Sequence, residues 1–183
     1  MIRSFFLIIF SFFLCTNPSY AKSLKDSTNT IKKVINIGVP SAAIISLVGI
    51  KEVWYKNYAR SDFHFFDDLK EWNGMDKVGH ACTSYQLNKF SHTLFKKNNI
   101  KNPLLKSSIY TFGYMLGVEL LDGYSKEWGF SIYDVIGNGL GTFLYSIQES
   151  KLKSQPFKIK FSSTQTPYVT CRPSLLGENR LQQ

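Results

Sequence analysis

Three short motifs set ionisable residues into otherwise apolar stretches: Asp76-Lys77-x-x-His80, Glu119-x-x-Asp122 and Asp134-x-x-x-Asn138-x-x-Gly141. Spacings of three and four put side chains on one face of an α-helix. Asp76 then shares a face with His80, Glu119 with Asp122, and Asp134 with Asn138, while Gly141 leaves room beside the last pair. A carboxylate taken out of water is costly unless it is paired or bound to a metal. Three chemistries follow. Lys77 and His80 could pair with Glu119, Asp122 or Asp134 as structural polar glue. His80, Glu119, Asp122 and Asp134 could hold a divalent metal, because imidazole with carboxylates suits zinc, iron or manganese. His80, oriented by a carboxylate, could be the base in hydrolysis of an envelope lipid or phosphate ester. The spacings leave all three open and assign no catalytic or cofactor-binding residue.

These motifs need helices to position them, and the pattern supplies about four. Val34–Ile50 is uncharged and lies at the short limit for a membrane span. A second segment covers roughly Asp76–Lys97. A third covers Pro103–Asp122, with proline at a favourable first position. A fourth covers Ser131–Ser150, where Ser131 and Asp134 have the spacing of an N-cap followed by an acid. The third and fourth carry Gly113-Gly117 and Gly137-Gly141, spacings that let helix backbones approach closely. The expected fold is an all-α, glycine-packed bundle with an aromatic loop between its first two helices and an irregular C-terminal tail. Antiparallel packing would gather the three motifs at one end. The loop, Phe63-His64-Phe65-Phe66 with its neighbours, is expected to fold over the bundle end and bury its rings. His64 and His92 are expected at the surface. Lys158–Phe161 looks strand-like.

The N-terminus reads as an export signal. Arg3 precedes an apolar run from Ser4 to Leu14, and Ser19-Tyr20-Ala21 offers small residues where a signal peptidase needs them. This gives a signal peptide over 1–21, a polar linker over 22–33, a helical domain over 34–161 and an irregular tail over 162–183. After cleavage two cysteines remain, Cys82 and Cys171, expected as free thiols. The 183 residues carry a net charge of +9. The lysines gather in 89–106 and 149–160 and the acids in 61–76. Without a helix-turn-helix or RNA-binding pattern, an exported basic chain fits anionic headgroups better than nucleic acid. No phosphate loop, dinucleotide fingerprint, nucleophile elbow or His-Glu-x-x-His is present.

Taken in order, Trp72-x-x-Met75-Asp76-Lys77-x-Gly79-His80-Ala81, Glu119-Leu120-Leu121-Asp122-Gly123-Tyr124 and Trp128-Gly129-Phe130-Ser131-x-x-Asp134-x-x-x-Asn138-x-x-Gly141 resemble the YfiM-like family of predicted periplasmic lipoproteins, over about residues 54–161. The Phe63–Asp68 run is most similar to Bacteroidetes-type members, which continue further at the C-terminus, so the resemblance implies a truncated tail. A fainter likeness to VanZ-like membrane proteins rests on the Asp-Lys-x-x-His and Ser-x-x-Asp-x-x-x-Asn spacings. The resemblance implies location and fold class and singles out Asp76, Lys77, His80, Glu119, Asp122, Asp134 and Asn138. It carries no mechanism. Cys15 sits in a poor lipidation context behind Phe13-Leu14. The expectation is a membrane-associated helical protein of the cell envelope, a structural or accessory component with membrane lipids or envelope proteins as partners. The alternative is a metal-dependent or acid/base hydrolase.

Overall fold

The computed structural model describes residues 27–53, 55–69 and 74–160. The signal peptide, Trp54, Trp72, Cys171 and the tail beyond 160 lie outside the described residues. Residues 25–159 form a compact unit. It is a helical bundle, and no strand is present among the described residues. Its helices are α1 (Ser27–Val53), α2 (Met75–Lys97), α3 (Pro103–Asp122) and α4 (Ile132–Ile147).

Local chemistry sets the helix ends. Pro103 opens α3, its fixed φ suiting a position that has no intrahelical donor bond to lose. The Ser131 hydroxyl accepts the Asp134 backbone N–H at 3.1 Å and caps α4. Asn99 and Asn102, both left-handed, turn the chain between α2 and α3. Beyond Ile147 the fourth segment continues as a π-helical turn over Gln148–Leu152, so its regular part is three residues shorter than the pattern suggests.

The two glycine pairs have different roles. A Cβ at Gly141 would overlap the Ala81 carbonyl oxygen, and one at Gly137 would sit 2.9 Å from the Lys77 carbonyl. Here α4 rests directly on the backbone of α2. A Cβ at Gly117 would lie 2.8 Å from a Leu47 methyl, which is where α1 crosses α3, whereas nothing lies within 4 Å of Gly113. Side chains also join α1 to α3, through Ser46 with the Tyr114 hydroxyl at 3.3 Å and Lys106 with Asn36 at 2.9 Å.

Residues 58–69 lie along 123–131. Backbone bonds hold them there: Ser61 N–H to Tyr124 O at 3.0 Å, His64 N–H to Gly123 O at 3.0 Å, Phe66 N–H to Phe130 O at 3.1 Å and Phe130 N–H to His64 O at 2.9 Å. The loop does cover the bundle end, and Phe63 and Phe65 meet Phe130 with ring centroids 5.7 and 5.4 Å away. The rings are not buried as expected. Phe63, Phe65 and Phe66 stay 37%, 65% and 40% exposed, because the backbone pairing lays the loop along 123–131 with one side of these rings left uncovered. Residues 158–160 form no strand. This irregular segment runs beside α2, with the Tyr85 hydroxyl donating to Phe157 O at 3.0 Å and Gln86 donating to Ile159 O.

Candidate functional site

The close approach of Gly137 and Gly141 to α2 sets Lys77 and His80 against Asp134 and Asn138. The pairing of 58–69 with 123–131 brings in Asp68 from the loop. The Lys77 ammonium lies 2.5 Å from Asp68 Oδ2, 2.9 Å from Asp76 Oδ2 and 2.9 Å from Asp134 Oδ1. Asp68 Oδ1 accepts the Ser131 hydroxyl at 2.6 Å. Ser131 thus caps α4 through its lone pair and holds Asp68 through its proton.

His80 stands beside this group. Its Nδ1 is 3.2 Å from Asn138 Oδ1 and 3.2 Å from Glu119 Oε1. Asn138 Oδ1 also accepts the Ser84 hydroxyl at 2.9 Å, and Asn138 Nδ2 donates to Glu119 Oε1 at 3.5 Å. On the other side of the ring, Nε2 is 3.8 Å from both Asp76 Oδ1 and Asp134 Oδ2. One ligand atom each from Asp76, His80 and Asp134 falls within a 4.8 Å span, a grouping able to hold a metal ion.

The protonation pattern follows from burial and neighbours. Burial pushes Glu119 up to about 9, with the charges of Asp122, Asp134, Asp76 and Asp68 adding to it. Asp134 rises to about 8, first through burial and then through Asp76. Burial would also raise Asp68, but its bonds with Lys77 and Ser131 outweigh this and hold it below the usual carboxylate value. Burial opposes the charge on Lys77, yet three carboxylates hold its pKa above that of an ordinary lysine. The His80 imidazole is lowered by burial despite nearby Asp76, so it is neutral at pH 7.

The seven sequence candidates separate into two groups. Asp76, Lys77, His80, Glu119, Asp134 and Asn138 form one network. Asp122 instead accepts the hydroxyl of Tyr55, from the turn that follows α1. Two participants carry no motif of their own. Asp68 was visible only as one of several loop acids, and Tyr55 only as one aromatic among many. His92, expected at the surface, is 4% exposed and bonds the Tyr145 hydroxyl at 2.8 Å through Nδ1. Cys82 is a free, buried thiol, and burial raises its pKa, so it is unreactive.

Fold and site together define an all-α bundle with a charged network inside one end. Residues 62–149 match the family described as predicted periplasmic lipoprotein (DUF2279), which supports the family-level resemblance of the three motifs. That description and the apolar N-terminal helix place the chain in the cell envelope, on the periplasmic side and associated with the membrane. No curated protein and no solved structure matches the chain.

Proposed function

We propose that the chain is a structural or accessory component of the envelope that works against a membrane surface, with lipids or envelope proteins as its partners. One observation carries this reading: the polarity of the bundle is inverted along α4. Ile132, Ile136, Leu140, Phe143 and Ile147 form a continuous outward stripe, each between 38% and 60% exposed. The inward face of the same helix carries Asp134, Asn138, Thr142 and Tyr145. A helix packed in water places these groups the other way round. α1 adds to this surface with Val34, Ile37, Ile44, Ile45 and Val48, all exposed. By length and composition its stretch Thr30–Val53 could cross a membrane. Exposed apolar area of this extent marks contact with lipid or another protein. The test is fractionation. The full chain should stay with membranes after a salt wash, and replacing Ile136, Leu140 and Phe143 with serine should shift a large share of it to the soluble fraction. Unchanged partitioning would remove the support that α4 gives this reading.

A second reading, a metal-dependent or acid/base hydrolase acting on an envelope lipid or phosphate ester, is favoured by His80 lying between one set of partners on Nδ1 and two carboxylates on Nε2. The substitution His80→Ala separates the two. As structural glue, His80 is needed for abundance and thermal stability. As a base, it is needed for hydrolysis while the fold survives.

A further inference from the structure

The way the two carboxylates divide their oxygens leads beyond structural pairing. Asp76 gives Oδ2 to Lys77 and turns Oδ1 to His80; Asp134 gives Oδ1 to Lys77 and turns Oδ2 to His80. Lys77 therefore fixes both groups from behind. Their free oxygens and the His80 ring nitrogen face a common point, but 3.8 Å is too long for a hydrogen bond between them.

The other ring nitrogen decides what Nε2 offers. Nδ1 faces two acceptors. Asn138 Oδ1 already takes a proton from Ser84, and Glu119 Oε1 takes one from Asn138 Nδ2. In the tautomer whose Nδ1–H donates to Asn138 Oδ1, the neutral ring carries its lone pair on Nε2. A lone pair facing two carboxyl oxygens is relieved by a proton on one of them or by a cation among the three. An imidazole that donates its far N–H to an oxygen while its near nitrogen faces carboxylates is the arrangement found around bound transition metals. Asp134, 5% exposed, is the most deeply buried of the three; its Oδ1 lies against the Lys77 ammonium and its Oδ2 is turned to His80. Metal binding takes Asp134 in its ionised form, and three carboxylates around one lysine then leave a formal excess of two, which a divalent ion neutralises.

We propose that Asp76 Oδ1, His80 Nε2 and Asp134 Oδ2 bind one divalent transition-metal ion of the zinc or manganese type, with Lys77, Glu119 and Asn138 as positioning residues. Ligand atoms about 2 Å from a tetrahedral ion lie about 3.4 Å apart, so the grouping, which spans up to 4.8 Å, must draw inward to close on an ion. Three protein ligands leave a coordination position open for water or substrate. Asp76 and His80 keep 22% and 16% of their side chains exposed, so an ion can enter past them. This differs from the sequence expectation. Asp76 replaces Glu119 and Asp122 as a ligand, Glu119 acts through the ring, and Asp122 is held by Tyr55. The proposal does not depend on membrane contact.

The test uses the full chain in detergent, stripped with a chelator and titrated calorimetrically with zinc chloride and, separately, manganese chloride. At least one ion should bind with a stoichiometry of one and raise the melting temperature. Asp76→Asn should weaken that binding about tenfold or more, while the metal-free chain still unfolds in one cooperative transition, because the amide oxygen still reaches Lys77. His80→Gln should weaken it as well. Nitrogen chemical shifts of the metal-free chain should show His80 protonated at Nδ1. Absence of saturable binding, wild-type affinity in both variants, or an Nε2-protonated ring in the metal-free chain would each overturn the assignment.

Discussion

The face of α2 that meets α4 carries a polar residue every fourth position, His80, Ser84, Asn88 and His92, and its two ends solve the same problem differently. At the far end every group is neutral. Asn88 donates through Nδ2 to Thr142 O at 3.1 Å and Ser146 Oγ at 2.9 Å, and His92 meets the Tyr145 hydroxyl. Donors and acceptors nearly balance there, with Asn88 Oδ1 and Thr142 Oγ1 as the exceptions. At the near end, Asp68, Asp76 and Asp134 crowd one lysine, and Glu119 is buried beside a histidine. A neutral network is enough to fix how two helices pack. Crowding carboxyl groups inside a fold costs stability whether they are ionised or held protonated, as Glu119 and Asp134 are up to about 9 and about 8, so the packing of α2 on α4 does not account for them. The proposed ion would give them a use.

The seam between the ends offers the most damaging test. Gly141→Ala pushes a methyl into the Ala81 carbonyl, between the two networks. A backbone atom cannot swing aside as a side chain can, so the cost should reach about 3 kcal/mol, at the upper end of overpacking. Thermal melting should show it, together with loss of metal binding. Gly113→Ala is the control: with open space around it, the helix gains up to about 1 kcal/mol. If both glycines tolerate alanine equally, α4 does not rest on α2 as described, and the two ends lose their common frame.

The next effect in size separates the ends. Asn88→Ala removes the donors to Thr142 and Ser146 at a fully buried position and should cost about 2 kcal/mol. Zinc affinity in the same variant should stay within about twofold, because nothing at the near end is touched. A tenfold loss of affinity would make the two networks one cooperative unit.

How far the sequence revealed these networks depends on whether the signal was local. α2, α3 and α4 could be read almost to the residue because Pro103, the Ser131 cap and the three motifs of i, i+3 or i, i+4 spacing are local signals. Asp68 could not be placed, because it reaches Lys77 only once 58–69 has paired with 123–131, and that pairing follows no helical period. The same distance effect hid the Tyr55–Asp122 bond, formed between residues 67 positions apart. The burial of His92 did leave a trace, the four-residue repeat running from His80. Read as a polar stripe facing α4, it would have placed His92 inside. That Glu119 meets Nδ1 of His80 while Asp76 faces Nε2 could not be read either, because spacing shows which face a residue occupies and not which side of an imidazole it reaches.

The smallest effect is in pH dependence, where the two ends should slope in opposite directions. Asp122 is raised from 3.8 to about 7, mainly by burial, with Asp76 and Asp68 adding to the shift and the Tyr55 hydroxyl opposing it. The folded chain therefore holds a proton there that the unfolded chain has released. Stability from this group is full below pH 4 and falls as pH rises towards 7. His92 is lowered from 6.5, mainly by burial; Glu149 works against the shift and Lys96 with it, while the Tyr145 hydroxyl contacts the ring. The unfolded chain then binds the extra proton, so stability from His92 is present above pH 6.5 and falls as pH drops below it. Each slope is bounded by one proton, about 1.4 kcal/mol per pH unit. Melting temperatures between pH 4 and 8 in chelator should show Asp122→Asn reducing the decline on the rising side, the rest coming from Glu119 and Asp134, and His92→Gln reducing the one on the acid side, to which His80 also contributes. If either variant flattens the opposite limb, the charged and neutral ends titrate as one network, and the distinction between a site and a packing interface does not hold.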